Sequence, residues 1–152
     1  MNILVDIDVI KKLYDASRVG VKIQLIVRGV CSLVPKVEGL SENIEVISII
    51  DRYLEHARVY IFCNNGNELL YLSSADWMSR NLNNRVECGF PIYSQEIKST
   101  IKFIINTQLN DNCKARHINE HGENNYQLTD CIDKNRSQIE SYNFLKLLEK
   151  GE

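Results

Sequence analysis

The chain is expected to fold as an α/β protein, a mixed sheet flanked by helices. Three observations predict this. Residues 21–27 and 44–50 are short aliphatic runs of strand length. Residues 7–18 carry Val9, Ile10, Leu13 and Tyr14 at the spacing of one helical face. Residues 54–62 and 70–77 flank Asn64-Asn65-Gly66-Asn67, residues that tolerate positive φ and so turn a hairpin. The chain has 152 residues, 44% hydrophobic and 25% charged, which suffices for one domain with a buried core.

In chain order, Asp6 or Asp8 can cap the first helix, and Gly20 suits the left-handed residue after it. The run 21–27 fits a strand buried on both faces and ends at Arg28-Gly29. Arg28 then lies at a strand's carboxyl end, where open α/β sheets bind ligands. Gly29 lets the backbone turn or a ligand come close. Residues 31–43, with Pro35 and Gly39, read as a loop. After the hairpin, residues 77–84 are polar, residues 85–92 form a strand stopped at Pro91, and Ser94 opens a helix with Ile97, Ile101, Ile104, Ile105 and Leu109 on one face. Ser137-Gln138-Ile139-Glu140 has the pattern of a capping box and opens a last helix through Lys150. Little more than residues 1–5 precedes the first helix. They are either the missing strand or a sign that the chain is a piece of something longer, and the second is expected.

The candidate chemistry lies in the hairpin. If residues 54–62 are a strand, His56 and Arg58 share a face, pairing an acid/base or nucleophilic nitrogen with a cationic fork suited to phosphate. Ser73, Ser74 and Asp76 on the second strand can support them, with Asp76 accepting the second N–H of an imidazole. Trp77 reads as a packing anchor, and Arg80 and Arg85 as further cations that can meet phosphate. The net charge of −2 argues against a coat for nucleic acid, so no nucleic-acid partner is expected and any anion site is local. Five cysteines without a Cys-x-x-Cys, no signal peptide and no apolar stretch of membrane-spanning length point to a cytoplasmic protein with no transmembrane segment. Cys113, His117 and His121, with Cys131 as a fourth, form a rival metal-ligand set if a helix aligns them; no metal site is expected.

The pairing of His56 and Arg58 with Ser73-Ser74-Ala75-Asp76 resembles half of a phospholipase D-like site, with Arg58 where Lys is usual. Residues 20–31, Gly39-Leu40-Ser41-Glu42-Asn43-Ile44, Tyr53-Leu54-Glu55-His56-Ala57-Arg58, residues 73–81 and Lys114-Ala115-Arg116 together resemble the C-terminal domain of bacterial polyphosphate kinases, in family order over residues 2–116. The resemblance implies a phospholipase D-like fold. It also implies reversible transfer of the γ-phosphoryl of ATP to inorganic polyphosphate, with Mg2+ and ADP, through a phosphohistidine in an upstream domain that this chain lacks. Arg28, His56 and Arg58 are then the ATP and polyphosphate contacts, His56 the catalytic acid/base, and Ser73, Ser74, Asp76 and Arg80 supporting groups. The parent is expected to be a homo-oligomer, and these residues alone are expected to be inactive.

Residues 1–116 are thus expected to be the phospholipase D-like part, and 117–152 a variable polar segment and helix packed on it. Departures are Ala57 where the family has Ser, Ser32-Leu33-Val34-Pro35-Lys36 where an Arg is usual (Lys36 can substitute), and Gln127-Leu128 in place of a basic tail. Two other readings stand beside this one: a phosphodiesterase built from two copies of the half-site, and a non-catalytic module for anionic polymers or nucleotides.

Overall fold

The computed structural model describes residues 1–126 and 134–150. Seven strands and four helices follow in the order α1 (Ile7–Arg18), β1 (Ile23–Ile26), β2 (Ile44–Ile49), β3 (Val59–Phe62), β4 (Leu69–Ser73), α2 (Ser79–Asn84), β5 (Gly89–Pro91), α3 (Gln95–Leu109), β6 (Ala115–Ile118), β7 (Asn124–Tyr126) and α4 (Ser137–Lys150). The α/β class holds, with one refinement: the strands form two sheets. The first is mixed and ordered β1-β2-β6-β7, with β1 parallel to β2 and the remaining pairs antiparallel. The second is the antiparallel meander β3-β4-β5.

Local chemistry accounts for most boundaries. Asp6 is the α1 cap, accepting the Val9 N–H at 3.1 Å, and Gly20 takes φ +89° just beyond the end. β2, central in the first sheet, buries five of its six residues, as a strand covered on both faces should. Its Ile44 and Val46 join Leu25, Val27, Leu33 and Ile10 in the main core. β3 pairs with β4 from Val59↔Leu72 to Phe62↔Leu69, and the turn at Asn64-Asn65-Gly66 puts all three residues at positive φ. The strand expected over residues 85–92 is only Gly89–Pro91.

Residues 1–5 join the two sheets. Leu4, fully buried, makes parallel bridges to both Cys31 and Trp77. Its N–H donates to Val30 C=O at 2.9 Å, and the Trp77 N–H donates to Ile3 C=O at 3.1 Å. This segment therefore acts as a short strand between the sheets. Trp77 stacks on Tyr60 with ring centroids 5.1 Å apart, the packing role its type suggests.

The start of α4 departs from the capping-box expectation. Ser137 lies inside the helix rather than before it, and Ile139 and Glu140 donate to Arg136 C=O. The Ser137 hydroxyl instead donates to buried Asp111 at 2.6 Å. A buried carboxylate outcompetes the helix's own N–H groups for that side chain. α4 packs on α3 through stacked Phe103 and Phe144. Cys131, Gln127, Leu128 and Gly151 lie outside the described residues.

Candidate active site

Residues 50–58 connect β2 to β3 and lie outside both strands, so His56 and Arg58 sit on an irregular loop rather than on the expected strand. They meet nonetheless. The Arg58 guanidinium lies 2.7 Å from His56 Nε2 through Nη2, and its Nη1 donates to His56 C=O at 3.0 Å. A guanidinium has no acceptor, so Nε2 is the accepting nitrogen in this contact and the ring proton is on Nδ1.

Asp76 fixes the other side of the fork. Arg58 Nε donates to Oδ1 at 3.2 Å and Nη2 to Oδ2 at 2.7 Å, a two-point pair with side chains only 12% and 6% exposed. The N–H groups of Asn2 and Ile3 also donate to Oδ1, at 2.9 and 3.1 Å. Burial pushes the Asp76 carboxyl up, but the Arg58 contact and these two N–H bonds outweigh it and leave it below the usual range. Asp76 was expected to orient an imidazole directly. It orients the guanidinium, which in turn touches the imidazole, because Arg58 reaches the carboxylate with two donors where His56 could bring one.

The two serines have separate tasks. Ser73 does not reach the cleft; its hydroxyl accepts the Ala75 N–H at 3.1 Å and shapes the bend before Asp76. Ser74 is in the cleft wall, accepting the Cys88 N–H at 2.9 Å and donating to Glu87. Asn81 donates to the other Glu87 oxygen at 2.6 Å. Hydrogen bonds from Ser74 and Asn81 hold the Glu87 carboxyl below its usual range, helped by Arg85 and Arg58. Neither Glu87 nor Asn81 is among the expected site residues; Asn81 closes the 73–81 stretch that carries the family resemblance, whereas the only signal for Glu87 is its nearness to Arg85.

His56, Arg58, Asp76, Ser74, Arg80 and Arg85 line one cleft of about 380 Å³, which Asn2, Asn81 and Glu87 complete. Arg28 is not among them. It borders a neighbouring cleft of about 240 Å³ whose wall runs from Ile49 to Leu54. Arg28, His56 and Arg58, expected together as phosphate contacts, are thus divided between two clefts. The Arg28 fork is drawn to Asn2 Oδ1, at 3.1 Å from Nε and 2.7 Å from Nη2, and the 50–58 loop contributes to both clefts. Asn2 links them, holding Arg28 by its side chain and Asp76 by its backbone. Lys36, the candidate substitute for a missing Arg, is paired with Glu45 at 2.9 Å instead.

His117 is in strand β6, while Cys113 precedes it in a turn and His121 follows in another, so no helix aligns them. Among the described residues no three His, Cys, Asp or Glu side chains are grouped to hold a metal. Among them, too, no helix is long and apolar enough to cross a membrane.

Residues 1–138 match the family described as polyphosphate kinase C-terminal domain 2. The chain belongs to that family. It is 51% identical over 150 residues to a polyphosphate kinase of Vibrio vulnificus, covering 99% of this chain and 21% of that protein. It is 47% identical over 152 residues to that of Yersinia pestis, covering 100% and 22%. The crystal structure of the Porphyromonas gingivalis polyphosphate kinase superposes with a TM-score of 0.96 at 43% identity, covering all of this chain and 23% of that one. This polyphosphate kinase C-terminal domain thus spans about a fifth of the relatives it matches.

Proposed function

We propose that this domain supplies one half of a phosphoryl-transfer site, in which ATP and inorganic polyphosphate exchange the γ-phosphoryl, and that its partner is an upstream domain of the same parent chain. The observation carrying this reading is the His56–Arg58–Asp76 relay at the wall of an arginine-lined cleft. Phosphoryl transfer asks mainly for charge held in line with the moving group. Arg80 and Arg85, exposed at the cleft, offer donors for phosphate oxygens, and Arg58 adds its charge and the one N–H that its bonds to His56 and Asp76 leave over. His56, exposed at the cleft, can present its Nδ1–H to a phosphate oxygen while Arg58 holds Nε2, and Nε2 takes a proton only once that contact opens. Arg28, in the adjoining cleft and joined to the first through Asn2, would meet another part of the nucleotide.

The family implies Mg2+, and the residues here do not form a site for it. Arg58 and backbone N–H groups occupy Asp76, while Ser74 and Asn81 occupy Glu87. Mg2+ commonly arrives on its substrate's phosphates. The four described cysteines are free thiols, which favours the cytoplasm.

The test is His56→Ala and Arg58→Ala in the full-length kinase, measuring polyphosphate made from ATP. Each should cut turnover at least a hundredfold. Synthesis within threefold of wild type for both would overturn the reading. The 152-residue chain alone should bind tripolyphosphate without producing ADP from ATP; robust ADP release would refute the half-site.

A further inference from the structure

The loop that carries His56 meets a strand only at its end, where the Arg58 C=O accepts the Ser73 N–H at 3.0 Å, so something else must hold the rest of its path. The residues at the start of α4 do so. Arg136 grips Asp51 with two bonds, Nε to Oδ2 at 2.8 Å and Nη2 to Oδ1 at 2.6 Å, and the Asp51 side chain is 2% exposed. Two residues on, the buried Gln138 carboxamide treats Tyr53 as a neighbouring strand would. Its Oε1 accepts the Tyr53 N–H at 2.9 Å, and its Nε2 donates to the Tyr53 C=O at 2.8 Å. The same Nε2 reaches Glu55 Oε1 at 3.2 Å, and buried Gln108 of α3 donates to Glu55 Oε2 at 2.6 Å.

We infer that Gln138, acting with Gln108 through Glu55, is a positioning residue for His56. It fixes Tyr53 and Glu55, and so sets where the imidazole meets Arg58. This rests on the assignment of His56 to the site above. The residue type is demanded by the geometry: position 138 must accept once and donate twice, which a carboxamide alone among side chains of that length can do. Helix α4 thereby belongs to the site, although no residue of it lines the cleft. The far end of the loop is held independently by Arg58 on Asp76. His56 is thus suspended between two anchors, one on each side.

The experiment follows the imidazole of His56 by NMR in the 152-residue chain, identified by its loss in His56→Asn, with tripolyphosphate affinity and thermal midpoint measured in parallel. In wild type, tripolyphosphate should shift the His56 ring signals; no shift would count against the site assignment rather than against the latch. Gln138→Glu keeps the acceptor, loses both donors and faces Glu55 with a like charge. It should move or broaden the His56 signals and weaken tripolyphosphate about tenfold, leaving His117 and His121 unmoved. Adding Glu55→Gln returns a donor to the pair and should recover most of the loss, a rescue that general loosening of the fold would not give. Gln108→Leu, removing a single contact, should cause a smaller shift of the same sign. Phe144→Ala loosens α4 on α3 without touching the latch, so it should lower the midpoint and leave the His56 ring where it is. Unchanged His56 signals and affinity in Gln138→Glu, or a Phe144→Ala effect as large, would overturn the inference.

Discussion

Asp76 and Asp111 are the same device used for opposite ends. Both are buried carboxylates saturated with donors. Asp111, fully buried, accepts the N–H groups of Cys113, Lys114 and Ala115 on Oδ1, and the N–H and hydroxyl of Ser137 on Oδ2. Every partner is neutral and belongs to the scaffold, so Asp111 fastens α4 to the turn before β6. Asp76 spends its acceptors on two backbone N–H groups and one cation, and that cation faces the cleft. The identity of the partners, rather than the depth of burial, separates a structural carboxylate from one that serves a site.

The largest effect expected from this contrast is at Asp111. Asp111→Ala leaves several buried donors unpaired, which costs about 3–5 kcal/mol, or a fall in thermal midpoint of about 10 °C. Burial pushes its carboxyl up, and the hydrogen bonds led by Ser137 outweigh this, so it lies below the usual range. A depressed folded-state value means the stabilisation is complete above the unfolded value near pH ~4 and is lost as pH falls through the folded one. Calorimetric melts from pH 7 down to 3 should show the wild type losing stability in that acid range and Asp111→Ala following a flatter course. A midpoint loss under 2 °C would erase the contrast.

Asp76→Asn comes next, and it should separate holding from binding. The carboxamide retains one acceptor for Arg58, so stability should fall by only about 2 kcal/mol. The cleft loses a negative charge, so KM for polyphosphate in the full-length kinase should not rise. Turnover should drop about 10- to 100-fold as the Arg58–His56 geometry slackens. A raised KM with unchanged kcat would make Asp76 a part of the binding surface and cancel its likeness to Asp111.

How far these roles could be read from the sequence depends on how local their causes are. α1, its Asp6 cap, the β3–β4 turn and the opening of α3 at Ser94 rest on neighbours within a few residues, and pattern alone reveals them. His56 and Arg58 were legible as a pair, since side chains two apart lie close on an extended chain whether or not it is paired into a sheet. What could not be read was the long-range choice of partner. Asp76 bonds residues 2 and 3 across the sheet seam, Arg28 turns to Asn2, and Ser137 abandons its helix end for Asp111. Each outcome is a competition between donors far apart in sequence. Hydrophobic period and capping rules carry no information about it.

The smallest of the three effects should come from Gly29, where the same long-range logic can be tested gently. Gly29 does not have positive φ, so its freedom lies in space rather than in backbone angle. A Cβ there would stand 2.9 Å from the Asn2 carbonyl oxygen and 3.1 Å from Asn2 Oδ1. Backbone has to move, by a few tenths of an ångström, and Gly29→Ala should cost about 1 kcal/mol. The displaced residue is the one whose N–H bonds Asp76 and whose carboxamide holds Arg28. Gly29→Ala should therefore disturb the Asp76 side of the molecule and spare the Asp111 side. In amide hydrogen exchange, the Asn2 and Ile3 N–H groups should lose protection while those of Cys113, Lys114 and Ser137 keep theirs. Equal loss at both carboxylates would mean the two anchors share one cooperative unit, and the division drawn between them would not survive.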